Sequence, residues 1–232
     1  MSLADEIRKD PLRYLPEISL MGLWKFQNGY SFRCYLEGRF FDDDFHGRGR
    51  EFEDWIRARF SVPPDSCNVV CIIDSFSGNN EDAFYFYFAL RDEFLKSTES
   101  NSREAPPSIQ SEPADLIQLL KKIRERPPLY FGTTHFQDFY LLMLGDERAF
   151  SDLGLAPGLD RKIWAEFKSW MEETQNKASI RRPWHKIISY WGGSGESALK
   201  LFYKWLDQFA ATIGQPDLFQ VQETFWQRFR RP

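Results

Sequence analysis

The chain has 232 residues, 42% of them hydrophobic and 28% charged, with 30 Lys plus Arg against 34 Asp plus Glu and a formal charge of -4. Such a composition excludes an intrinsically disordered chain, and its mild acidity argues against a protein built to coat nucleic acid or anionic lipid, which usually carries the opposite sign. Three cysteines, Cys34, Cys67 and Cys71, give no framework for a secreted disulfide scaffold, and "MSLADEIRKD" lacks an apolar leader, so a cytoplasmic protein that enters no membrane is expected.

In chain order, the first stretch of interest is "IRKDPLRYLP", residues 7–16. Its proline predicts the end of a short helix, because a residue that precedes proline is driven out of helical geometry. Next comes "RFFDDDFHGRGREFED", residues 39–54, an acidic loop leading into a helix. "NVVCIID", residues 68–74, has the composition of a buried strand or of a short helix. An aromatic-rich helix is predicted over "EDAFYFYFALRDEF", residues 81–94, followed by "KSTESNSREAPPSIQSEPAD", a Ser-, Glu- and Pro-rich linker.

The second half begins with a helix over 115–125, ended at Arg126-Pro127. Thr133 or Thr134 then caps a helix over about 135–144, with Gly145 near its end. "RKIWAEFKSWMEET" follows, with Ile163, Phe167, Trp170 and Met171 on one face. "PWHKIISYW" opens with a proline suited to a first helical turn. The last matched helix is "SGESALKLFYKWLDQFA", with Ser194 as its expected cap, and a tail helix is expected from Leu218, Val221, Phe225, Trp226 and Phe229.

The halves read as one text written twice. At an offset of 116 residues, Ile7, Arg8, Pro11, Tyr14 and Gly29 meet Ile123, Arg124, Pro127, Tyr130 and Gly145. At 115, "EFEDWI" meets "EFKSWM", and Glu81, Ala83, Asp92 and Phe94 meet their identities in the second half. The helical partner of "NVVCIID" resolves that segment to helix. The expected fold is therefore all-α: two tandem copies of a helical-bundle unit, at 1–95 and 115–210, joined by a linker at 96–114 and followed by a C-terminal helix in 211–232. In each copy the motif proline breaks the first helix and the tyrosine packs beneath the turn. Gly132 frees the turn in the second copy, where the first has Pro16. Glu51 and Glu166 are the expected partners of Arg8 and Arg124.

Chemistry is sparse. Asp42, Asp43, Asp44 and His46 invite a metal site, but consecutive carboxylates diverge on most backbones and no spaced partner supports them. A solvated acidic loop, or a docking surface for a basic partner, fits better. "WGGSGES" lacks the Lys-Ser/Thr ending of a phosphate loop and reads as a turn. His46, His135 and His185 sit in unrelated contexts. No catalytic residue, metal or cofactor is expected.

The unit I-R-x-x-P-x-x-Y, followed by an aromatic-rich helix, EFxxW and a closing helix, resembles a class of small bacterial proteins encoded beside polymorphic toxins, the immunity proteins, including partners of type VI secretion effectors. "IRERPPLYFGTTHFQDFYLLMLG" carries the likeness best. It implies a non-enzymatic inhibitor that binds and occludes a cognate toxin encoded by the adjacent gene, and an acidic inhibitor suits a nuclease with a basic groove. The expected toxin-binding residues are Asp42, Asp43, Asp44, Glu51 and Asp54; Arg8, Pro11, Tyr14, Arg124, Pro127, Tyr130 and Gly132 form the structural motif. A helical adaptor, or a metal-dependent hydrolase built on the aspartates, are the alternatives.

Overall fold

A computed structural model describes residues 2–38, 49–64, 66–98, 115–175 and 182–221. Among them lie eleven α-helices and no strand: α1 (Leu3–Lys9), α2 (Leu20–Leu36), α3 (Gly49–Phe60), α4 (Val69–Ser75), α5 (Asn80–Thr98), α6 (Leu116–Glu125), α7 (Pro127–Phe131), α8 (Phe136–Asp152), α9 (Leu159–Thr174), α10 (Trp184–Gly192) and α11 (Glu196–Thr212). A single 3-10 turn, Pro11–Arg13, follows α1. The fold is all-α, and α4 is the helix that "NVVCIID" forms. Asn68 starts it by accepting the Cys71 N–H at 2.9 Å, which commits the segment against strand.

Element order repeats along the chain. Helices α2 and α8 each span 17 residues, and their bounds differ by 116 at both ends. The backbone breaks alike at the two motif prolines: Asp10 has φ/ψ of -142°/72° and Arg126 of -144°/66°, outside the helical region that proline disfavours for its predecessor. Past the break the two halves diverge. Gly132 closes α7 at φ +75°, in the left-handed region that favours glycine, while the first copy runs through Tyr14 without such a residue.

The chain forms two compact units, one of residues 1–112 with 141–153, the other of 113–140 with 154–232. Helix α8 thus contributes its first turn to the second unit and the remainder to the first. In the first unit α2 packs against α4 and α5 around Leu23, Phe26, Ile73, Phe84 and Phe88, all nearly inaccessible. In the second, Phe136, Phe139, Phe167, Trp184 and Phe202 form a continuous aromatic core beneath α9, α10 and α11. Rings this large fill helix-helix gaps with few side chains, which is how the described cores use their Phe and Trp.

Three expectations change. Helix α8 does not stop at Gly145 but continues to Asp152, because this glycine marks a helix crossing. A methyl group there would lie 1.9 Å from the Phe26 carbonyl oxygen, and one at Gly29 would lie 1.9 Å from that of Leu142. Ser194 does not cap α11: Gly195 stands at that position without a side-chain bond, and the Ser194 carbonyl accepts the Gln137 N–H instead. Of the predicted tail helix, Leu218 lies in a turn and Val221 outside any helix, while Phe225, Trp226 and Phe229 fall outside the described residues. The start of α8 is held as expected, with Thr133 accepting the His135 N–H and donating to Asp138.

Candidate functional site

The motif arginines are anchors, and their partners are not Glu51 and Glu166. Arg8 pairs with Asp92 at 2.7 Å; Arg124 makes a two-pronged contact with Asp207 at 2.6 and 2.8 Å and also donates to the Phe219 carbonyl. Each guanidinium lies over the ring one turn before that aspartate, Phe88 at 5.7 Å and Tyr203 at 5.2 Å. Helical spacing explains the choice, since residues four apart on α5 or α11 share a face and offer ring and carboxylate together. Each arginine thereby ties the first helix of its copy to the last. Tyr203 is buried and donates to the Leu120 carbonyl at 3.1 Å; burial drives its hydroxyl well above the ordinary phenol range. Tyr14 donates to Glu6 at 2.6 Å, which holds that carboxyl below its usual range.

The predicted toxin-binding set is only partly described. Asp42, Asp43, Asp44 and His46 lie outside the described residues. Glu51 is half-buried in the first turn of α3, and Asp54, one turn on, is exposed in an open groove with Arg50, Glu53 and Arg57. Arg57 bonds Glu53 at 2.6 Å and the Cys67 carbonyl at 2.7 Å, fastening the α3–α4 connection. Among the described residues no three His, Cys, Asp or Glu side chains gather to hold a metal ion, and no helix is long and apolar enough to cross a membrane. Cys67 and Cys71 are exposed free thiols, Cys34 a buried one.

Two features escaped the sequence. The first is a hollow of about 290 Å³ in the first unit. Helix α2 contributes Leu20, Trp24, Gln27, Asn28 and Ser31; α3 contributes Gly49, Phe52 and Glu53; Asn68, Val69, Val70 and Tyr87 complete it. Its wall is a mixture of rings and acceptors, with Phe52 edge-on to Tyr87 at 5.7 Å. The second is a set of exposed aromatics: Phe76, stacked on Phe60 at 4.5 Å, and Tyr190 and Trp191, with the Arg182 guanidinium 4.6 Å over Tyr190. A hollow depends on which side chains are short at a three-dimensional meeting point, and no linear motif records that.

His185 stacks on Tyr140 at 4.0 Å, and burial, helped by Lys186, lowers its pKa to about 4. It is a half-buried ring held neutral against Tyr140, with no Ser or Cys bonded to it among the described contacts. No family model, no curated protein and no solved structure matches this chain.

Proposed function

We propose that the chain is an immunity protein, arisen by tandem duplication, that binds and occludes a cognate antibacterial toxin and performs no chemistry of its own. The observation that carries the reading is the motif I-R-x-x-P-x-x-Y at 7–14 and again at 123–130, the signature through which the sequence resembles such proteins. Its arginines, prolines and tyrosines are used for building, which leaves the other faces for recognition. Exposed Phe76, Tyr190 and Trp191 are the residue types that anchor protein interfaces. Negative charge at Glu51, Asp54 and the Asp42–Asp44 run suits a toxin with a basic groove, such as a nuclease, by speeding encounter.

The test is co-expression with the product of the adjacent gene in cells which that product alone kills. Survival together with a co-purifying complex supports the proposal. Death with no complex sinks it and transfers the weight to a helical adaptor.

A further inference from the structure

The hollow of the first unit has a counterpart in the second, and there it is full. Under the same register, Gly49 corresponds to Trp164 and Val69 to Trp184. In the second unit those two indoles meet edge to face at 5.3 Å, and Trp184 also contacts Phe136, Tyr140 and Phe202. In the first unit the surrounding rings are kept, with Trp24, Phe52 and Tyr87 at the positions of Tyr140, Phe167 and Phe202, but the central pair is reduced to glycine and valine. A Cβ placed on Gly49, which is exposed, would meet no atom of the described residues within 4 Å.

The lining changes in a second way. Gln27, Asn28 and Glu53 stand where the second unit has Met143, Leu144 and Lys168. Gln27 donates to the Tyr87 hydroxyl at 3.5 Å, and Glu53 uses one oxygen on Arg57, so acceptor oxygens are left on both side chains. Removing two buried indoles from a core is costly unless something refills the space. Adding acceptors fits a ring that brings an N–H or O–H with it.

From this we infer that the hollow of the first unit is a receptor for an aromatic side chain, tryptophan or tyrosine, supplied by a protein partner, which takes in trans the place that Trp184 holds within its own unit. The inference deepens the toxin-binding reading and rests on it for the identity of the partner, but the pocket can be tested on the chain alone.

The experiment titrates the full chain with N-acetyl-tryptophanamide and follows the side-chain amide resonances of Gln27 and Asn28 by NMR. Saturable shifts are expected, with a Kd on the order of 1 mM for so small a probe, while N-acetyl-leucinamide at equal concentration leaves them in place. Val69→Trp and Gly49→Trp, which refill the hollow, are expected to remove the response and raise the melting temperature. Gln27→Leu, which leaves the hollow open, should weaken binding about tenfold. Shifts that fail to saturate, an equal response to the leucine probe, or unchanged binding in folded Val69→Trp would overturn the site. Rescue from the toxin with no response to the probe sinks the pocket and leaves the immunity reading; a response without rescue does the reverse.

Discussion

Gly145 and Gly29 are each fixed by a backbone atom rather than by a side chain that could swing aside. Helix propensity alone makes Gly145→Ala favourable by roughly 0.5–1 kcal/mol. Contact at 1.9 Å with the Phe26 carbonyl oxygen reverses that sign, because neither helix can yield without moving as a body. We expect a net loss of about 2–3 kcal/mol, read as a lower midpoint in urea. A different residue governs acid sensitivity. His185 is held neutral in the fold, with a pKa of about 4 against 6.5 when unfolded. Its contribution is therefore complete above pH 6.5 and is lost as pH falls from there toward 4. The melting temperature should drop between pH 7 and pH 5, and His185→Phe, which keeps a ring against Tyr140, should flatten that portion of the profile.

At the scale of elements, two matched ion pairs differ in setting. The Arg124–Asp207 side chains are each about 25% exposed, those of Arg8–Asp92 41% and 38%. Double-mutant cycles to Met and Asn should give a coupling of about 1–2 kcal/mol for the former and at most about 0.5 kcal/mol for the latter. The pair between α2 and α8, Arg33 with Asp146 at 2.8 Å, is deeper, at 3% and 1% exposure. Asp146→Ala should cost about 3 kcal/mol, because the buried guanidinium keeps Glu37 at 3.2 Å but loses its most deeply buried counter-charge. Most helix identities were legible because they rest on local signals, such as Pro127, the Thr133 cap and the Ile163–Phe167–Met171 spacing, whereas 68–74 was settled only by comparison with its partner in the second half. The end of α8 was not, since Gly145 obeys a neighbour 119 positions away along the chain (Phe26) rather than a local stop. Asp92 and Asp207 were visible as matched residues, yet their partnership with Arg8 and Arg124 exists only once first and last helices meet. The hollow was written at Gly49 and Val69 all along, and becomes readable when Trp164 and Trp184 show what fills the same place elsewhere.

For the whole molecule, the compact units do not follow the written halves. Residues 141–153 belong with the first unit, so a fragment ending at residue 112 lacks the helix that covers Gly29 and supplies Asp146 to Arg33. Expressed alone, that fragment should show no cooperative thermal transition by circular dichroism, whereas the full chain should. The glycine crossing has one more implication. Position 29 rests on 142 and position 145 rests on 26, and each pair maps onto the other under an offset of 116. A contact that is its own image is isologous, the kind that closes a two-fold homodimer. On the proposed duplication, a one-copy ancestor would have carried the same glycine on the same helix face, self-complementary and open, and gene fusion would have turned a concentration-dependent association into a permanent one.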